Sequence, residues 1–105
     1  MASPFAIQVF FYGTLLDDAT RKKALGRHVE GRRTTLTGWV KKTDKGKYPY
    51  LERNTGDQPG VVHGKVFELT EDDVAKLDAW EAKYYRIVVK LRDGTKAQVY
   101  EEAGH

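Results

Sequence analysis

The pattern of apolar and polar residues along the chain predicts five or six strands and two short helices. Residues 7–12 (IQVFFY) are dense in β-branched and aromatic side chains, which is typical of a largely buried strand. The same composition predicts further strands at residues 34–40, 50–53, 61–69, 85–91 and 95–100, of which the last two form a hairpin around Asp93-Gly94. We therefore expect an α+β fold in which a curled, barrel-like sheet packs against two helices.

Two segments carry the signals of helix ends. Asp17 or Asp18 is suited to cap the first helix, and Gly26 is suited to end it. Thr70 and Asp73 have the spacing of a capping box, which predicts that the second helix begins there.

The second helix places a carboxylate on its apolar side, because at about 100° per residue Glu81 shares a face with Val74 and Leu77. Low-polarity surroundings and the nearby helix C-terminus both raise the pKa of such a carboxyl group. A raised pKa makes the carboxylate a better general base near neutral pH. Periodicity leaves two alternatives open, in which the helix frays before Glu81 or Arg86 pairs with it. Asp78, on the same face, fits a structural role.

The turn after the first strand offers a complement to this acid. Gly13 has no side chain, so a ligand can approach the backbone closely there. The amides of a turn that enters a helix can hold a carboxylate or a developing oxyanion. A strand followed by Gly-Thr mostly marks a simple chain reversal, but together with an acid on an apolar helix face it indicates a binding site.

Composition narrows the classes of function. The chain of 105 residues has no cysteine, which excludes disulfides, thiolate nucleophiles and thiolate metal sites. Its three histidines are far apart and lack ligand spacing, so no metal site is expected. The length suits a single domain over residues 1–105. No apolar run approaches the ~20 residues of a membrane span and no signal-peptide pattern is present, so we expect a cytoplasmic protein without a membrane partner.

The net charge of +3 is mild, and the basic residues occur in scattered pairs that are typical of a solvated surface. One alternative function is nonetheless a nucleic-acid-binding small barrel with a basic and aromatic surface. The residues that would form this surface are Trp39, Lys41, Lys42, Tyr48 and Tyr50. The charge pattern does not favour it, and nucleic acid is not the expected partner.

Four motifs, taken in order, resemble the γ-glutamylcyclotransferase-like superfamily and, within it, the AIG2-like and γ-glutamylamine cyclotransferase branch. They are FYGTLL at 11–16, YP at 48–49, GKVFEL at 64–69 and LDAWEAKYYR at 77–86. The resemblance covers residues 7–100 and implies a small mixed β-barrel with flanking helices. It also implies a metal-independent enzyme that needs no other cofactor and that releases 5-oxoproline from a γ-glutamyl amine or a γ-glutamyl amino acid.

The resemblance assigns the general acid/base role to Glu81. The residues that it implies for the substrate pocket are Tyr12, Gly13, Thr14, Leu15, Tyr48, Pro49 and Tyr84. Two departures bear on substrate choice: Thr14-Leu15 replaces the Ser-Asn of enzymes acting on γ-glutamyl amino acids, and Lys65 occupies a position where Glu is frequent. A non-catalytic relative that binds a small metabolite in the same pocket is an alternative, because binding and turnover need the same residues.

Overall fold

The computed structural model describes residues 6–42, 50–53, 60–80 and 84–102. The strands and helices in chain order are β1 (Ile7–Phe11), α1 (Asp18–Leu25), β2 (Gly31–Thr37), β3 (Trp39–Lys42), β4 (Tyr50–Arg53), β5 (Val61–Leu69), α2 (Glu71–Trp80), β6 (Tyr84–Lys90) and β7 (Lys96–Glu102). A single 3₁₀ turn, Thr14–Leu16, lies between β1 and α1. The α+β class and the two short helices are confirmed.

The strands form two sheets. A mixed five-stranded sheet has the order β2-β5-β1-β7-β6, in which β1 is antiparallel to β5 and parallel to β7. A separate antiparallel pair consists of β3 and β4. Leu36 of the edge strand β2 forms an antiparallel bridge with Leu91, the residue that follows the other edge strand, β6. The sheet is therefore curled, as expected, but within the described residues no closed barrel is found, and the expectation of a barrel is corrected to this open arrangement.

The expected strand at residues 34–40 is two strands that belong to different sheets. Gly38 separates β2 from β3 with φ of 86°, a left-handed conformation that glycine adopts without steric cost. Its amide donates to the Gly60 carbonyl at 3.0 Å, which holds the bend beside the start of β5. An apolar pattern alone does not reveal such a bend, because the residues on both sides of Gly38 suit a strand equally well.

Both helices begin where their cap residues predict, and α1 also ends where its cap residue predicts. The Asp17 side chain accepts a hydrogen bond from the Thr20 amide at 2.9 Å, and Gly26, with φ of 76°, ends α1. At α2 the Thr70 hydroxyl accepts from the Asp73 amide and the Asp73 carboxylate accepts from the Thr70 amide, at 3.1 and 3.0 Å. This reciprocal pair is the expected capping box.

Each face of the large sheet has its own core. Helices α1 and α2 cover one face, and the buried residues of this helix-side core are Val9, Phe11, Leu15, Ala24, Leu25, Val29, Phe67, Leu69, Val74, Leu77 and Tyr100. The β3–β4 pair contributes to the other face, whose core comprises Phe10, Tyr12, Leu36, Leu51, Val62, Val66, Val89, Leu91, Ala97 and Val99. Successive residues of β1 alternate between the two cores, as the period of a strand requires.

Gly64 marks a close approach between the backbones of β5 and β1. A Cβ atom built at this position would lie 2.2 Å from the Phe11 carbonyl oxygen, far inside any real contact. A side chain at Gly64 would therefore push β5 away from the end of β1, where the chain leaves the sheet.

None of the described helices has the length and hydropathy needed to cross a membrane.

Candidate active site

A buried arginine in α1 holds the loop that follows β1. Arg21 lies in α1 with only 3 % of its surface exposed, and its guanidinium donates to the carbonyls of Leu15 and Leu16, both at 3.1 Å. It also lies over the Phe67 ring, 4.5 Å from its centroid, and pairs with the exposed Asp18. A buried cation is tolerated only when its donors are satisfied, so these contacts fix the loop and the arginine together.

Sequence reasoning missed Arg21, although a signal for it was present. Arg21, Ala24 and Leu25 have the i, i+3, i+4 spacing of one helix face, and all three are buried. The argument that drew attention to Glu81, a charge on an apolar stripe, applies equally to this arginine.

Within the loop, the described residues are packed and partly hydrogen-bonded. Leu15 is 4 % exposed and belongs to the helix-side core, while the Leu16 amide donates to the Gly13 carbonyl at 3.0 Å. The Tyr12 ring packs in the opposite core, and its hydroxyl donates to the Tyr100 carbonyl in β7 at 3.4 Å. The loop is thus anchored to α1 on one side of the sheet and to β7 on the other.

A cluster of polar side chains holds the last turn of α2. The Tyr100 hydroxyl donates to Asp78 Oδ1 at 2.7 Å, and Arg86 Nε lies 3.1 Å from the same oxygen. Arg86 also donates to the side chain of Gln98 in β7. Asp78 is therefore the structural residue that the sequence predicts, and its partners come from β6 and β7.

The structure confirms the apolar stripe of α2 and shows one partner of Arg86. Val74 and Leu77 are buried, and the helix ends at Trp80, directly before Glu81. Arg86, expected to be a possible partner of Glu81, forms an ion pair with Asp78. Glu81 itself lies outside the described residues, so its proposed role stays a prediction.

Other predicted site residues are described in part. Tyr48 and Pro49 lie outside the described residues, and Thr14 and Tyr84 are described in their backbone only, at the start of the 3₁₀ turn and of β6. What the structure brings together is a hydrogen-bonded chain from Tyr12 through Tyr100 to Asp78. This chain connects the end of β1 to the helix turn that precedes Glu81.

The start of α2 carries a second buried charge. Asp73 is 2 % exposed, and Arg27 Nε donates to its Oδ1 at 3.0 Å while a second guanidinium nitrogen donates to Oδ2. The hydrogen bond from Arg27, followed by those from Thr70, lowers the pKa of the Asp73 carboxyl group to about 2.

In the described part of the chain, no group of three or more His, Cys, Asp or Glu side chains is arranged to hold a metal ion.

The surface considered for nucleic acid is described only in part. Trp39 is half-buried against the core that contains Leu51, and the Arg53 guanidinium lies 5.0 Å from its ring centroid. Lys41 and Lys42 are exposed, whereas Tyr48 and the side chain of Tyr50 lie outside the described residues. Trp39 is therefore engaged in packing, which makes it a poor stacking platform for bases.

Comparison with proteins of known structure gives the same fold. A protein of Arabidopsis thaliana, solved in solution, is 30 % identical with a TM-score of 0.79, over 97 % of this chain and 72 % of that one. A human protein described as uncharacterized is 15 % identical with a TM-score of 0.75, over 95 % and 68 % of the two chains. A structure named gamma-glutamyl cyclotransferase is 15 % identical with a TM-score of 0.72, over 93 % and 67 %.

No curated protein gives a significant match to the chain. The family model described as "Gamma-glutamyl cyclotransferase, AIG2-like" matches residues 9–103, which is nearly the whole sequence and includes both the loop after β1 and the end of α2. The chain therefore belongs to the AIG2-like gamma-glutamyl cyclotransferase family.

Proposed function

We propose that the protein is a γ-glutamyl cyclotransferase-type enzyme that releases 5-oxoproline from a γ-glutamyl amine or a γ-glutamyl amino acid. The observation that carries the proposal is the hydrogen-bonded chain Tyr12–Tyr100–Asp78, in a member of this family. It connects the two segments, the β1 loop and the end of α2, that carry the proposed pocket and the proposed acid/base.

The reaction is an internal aminolysis. The α-amine nitrogen of the γ-glutamyl group attacks the side-chain carbonyl carbon, a new C–N bond closes the five-membered ring, and the original amide C–N bond breaks. The attacking ammonium group must first lose a proton, and we assign this proton to Glu81. Glu81 then returns this proton to the leaving nitrogen. It takes up the second proton, which the ring nitrogen loses as the ring closes, and passes it on in the same way, so that the amine leaves as an ammonium group and the enzyme ends the cycle as it began.

The β1 loop supplies the fixed half of the proposed site. The Leu16 amide is occupied by the Gly13 carbonyl, so we assign the anchoring of substrate, or of the oxyanion, to the amides from Gly13 to Leu15. The loop carbonyls of Leu15 and Leu16 are bound to Arg21, so contacts within the chain itself hold the loop in place. A fixed backbone favours the folded substrate shape that ring closure needs, because less entropy is lost in reaching it.

A turnover assay tests the proposal directly. The purified protein is incubated with a series of γ-glutamyl amines and γ-glutamyl amino acids, and 5-oxoproline is measured by chromatography. We expect release with at least one substrate, and a loss of roughly 10²- to 10⁴-fold in kcat for Glu81→Gln, the range of general acid–base catalysis. Glu71→Gln, in the exposed first turn of α2, is the matched control and should retain activity.

Two results would contradict the proposal. If Glu81→Gln turns over substrate at the wild-type rate, the proton carrier is another group. If the wild-type protein binds γ-glutamyl compounds in calorimetry but forms no 5-oxoproline, it is a metabolite-binding member of the family. Thermal melting of each variant shows whether a loss of activity reflects a loss of the fold.

A further inference from the structure

A pocket of about 770 Å³ lies beside β2 and β5, and its charged lining comes from separate parts of the chain. The residues that define this basic pocket are Arg32, Arg33, His63, Lys65, Arg92 and Asp93. Its volume falls within the roughly 300–1,000 Å³ of small-molecule sites. Of the eight residues of the proposed cyclotransferase site, none that the structure describes lines this pocket, but Leu16 of the β1 loop does, and Lys65 is the position noted above as a departure that bears on substrate choice.

The net charge of the side chains that line this pocket equals the net charge of the whole chain. Among the described residues that line it, four basic side chains and one carboxylate leave +3, with His63 neutral, and the whole chain of 18 basic and 15 acidic residues also has +3. The charges of all other residues of the chain therefore balance. The single carboxylate is already engaged, because Asp93 pairs with Arg32 and accepts from the Thr95 amide at 2.9 Å.

Two of the cations face each other at close quarters. Arg33 and Lys65 are directly opposite in the antiparallel β2–β5 ladder, so their side chains leave the same face of the sheet. Like charges in this arrangement destabilise a sheet. Among the described residues neither forms an ion pair, although Lys65 is only half exposed. An anion between them would remove the repulsion.

The third unpaired cation is brought to the pocket by the fold. Arg92 belongs to the turn between β6 and β7, and its amide donates to the Thr35 carbonyl of β2 at 2.9 Å. The Leu36–Leu91 bridge and the Arg32–Asp93 pair hold this turn against β2. Residues distant in sequence are thus fixed around one space, which a randomly solvated surface would not require.

The protection of a sheet edge accounts for only part of this arrangement. Edge strands often carry charges that discourage pairing with other chains, and β2 is an edge strand. His63 and Lys65, however, lie on β5, which is paired on both sides by β2 and β1. An inner strand has no free edge to protect, so the basic residues on β5 need another explanation.

We propose that the basic pocket binds a small organic anion that carries two or more negative charges on phosphate or carboxylate groups. Arg33 and Lys65 bind one charged group between them, and Arg92 binds the other from across the pocket. Arginine suits both chemistries, because its planar fork matches the oxygens of a carboxylate or a phosphate. The proposal does not depend on the cyclotransferase activity.

Calorimetric titration with inorganic pyrophosphate and with citrate, at about 0.15 M salt, tests the proposal. We expect saturable binding of at least one, and the stronger of the two identifies the preferred chemistry. Arg33→Gln and Lys65→Gln should each weaken binding about five- to tenfold, the loss expected for one close charge pair in a mostly aqueous setting. Lys22→Gln, an exposed position on α1, is the matched control and should bind as the wild type does.

A second variant separates binding from a simple charge effect on stability. Lys65→Glu places a carboxylate opposite Arg33, so we expect Tm to rise by roughly 1–6 °C and the affinity for both anions to be lost. The proposal is overturned if neither anion binds at millimolar concentration, or if Lys65→Glu binds them as the wild type does. It is also overturned if single-stranded oligonucleotides bind more tightly as their length increases beyond the pocket, because this would indicate a polynucleotide surface.

Discussion

The two ends of α2 are held by aspartates of different kinds. At the N-terminal end, Asp73 is buried, accepts from the Thr70 amide and binds the Arg27 guanidinium through both carboxylate oxygens. At the C-terminal end, the Asp78 side chain is 45 % exposed and is held by Tyr100 and Arg86. The helix therefore begins at a buried carboxylate, and its last turn carries a carboxylate that is partly exposed to solvent.

The two ends of this ten-residue helix therefore differ in how much free energy it costs to disturb their carboxylates. A buried carboxylate with every oxygen engaged is costly to disturb, because its partners lose hydrogen bonds that water replaces only incompletely. An exposed carboxylate exchanges its partners for water at little cost. The end of α2 that leads into Glu81 is thus held by contacts that stay accessible to solvent.

The largest expected effect is that of Asp73→Ala, which we expect to lower the free energy of unfolding by about 2–3 kcal/mol. The variant loses the capping box and the fork to Arg27, and the cost stays below that of a fully buried pair because Arg27 is half-exposed and regains water. Urea unfolding measures the change. Asp72→Ala, an exposed neighbour, should change the free energy by less than about 0.5 kcal/mol. Equal losses of unfolding free energy in both variants would show that the buried carboxylate stabilises the fold no more than the exposed one.

The second prediction is a pH dependence that belongs to Asp73. Its pKa is about 2 in the folded protein and 3.8 in the unfolded reference, so its stabilisation is complete above about pH 4 and is lost as the pH falls through about 2. This shift corresponds to about 2 kcal/mol. The gap in unfolding free energy between the wild type and Asp73→Asn should therefore narrow by about that amount from pH 5 to pH 2. A constant gap would show that Arg27 does not hold the carboxylate ionised.

The third prediction concerns the solvent-exposed C-terminal end of α2. Tyr100→Phe removes the hydrogen bond to Asp78 and should cost about 1 kcal/mol of unfolding free energy, since Asp78 can bind water in its place. The hydroxyl of Tyr12 keeps its acceptor, because it donates to the main-chain carbonyl of residue 100. A cycle with Asp78→Ala, which removes the acceptor, should give a coupling of roughly 0.5–1 kcal/mol. Additive losses would mean that the two side chains do not act together.

The smallest effect on stability is expected for Asp78→Asn, less than about 0.5 kcal/mol, because the pair with Arg86 is largely solvated. Activity is expected to respond more strongly. If this turn positions Glu81, kcat for 5-oxoproline release should fall roughly three- to tenfold, since small misplacements of a reacting group slow a reaction. Asp72→Asn is the control for an Asp-to-Asn change on the same helix. An unchanged kcat in Asp78→Asn would limit this residue to a minor structural contact.

Features fixed by neighbours in sequence were predictable. The caps of α1 at Asp17 and Gly26, the capping box at Thr70 and Asp73 and the hairpin around Gly94 all involve residues within a few positions of each other. Their geometry follows from local backbone preferences and short hydrogen bonds. The apolar stripe of α2 was predictable for the same reason, because the period of a helix is fixed by its backbone.

Features that depend on pairing between distant segments were not predictable from this sequence. Asp73 in the first turn of α2 was expected as a cap, but its burial depends on Arg27, 46 residues earlier. The burial of Arg21 depends on a loop and on a ring in β5. The split of the strand at Gly38 was missed because one glycine in an apolar run does not indicate which sheet each half joins.

The sequence by itself determined the α+β class, the helix ends, the hairpin and the motifs by which the family is identified, because each rests on local chemistry or on the order of residues. Only the tertiary structure decided that Asp78 is held by Tyr100 and Arg86, and that Arg33 and Lys65 stand opposite each other beside Arg92. These contacts depend on strand order and register. Strand order and register are set by the burial of two cores on opposite faces of one sheet, a property of the whole chain.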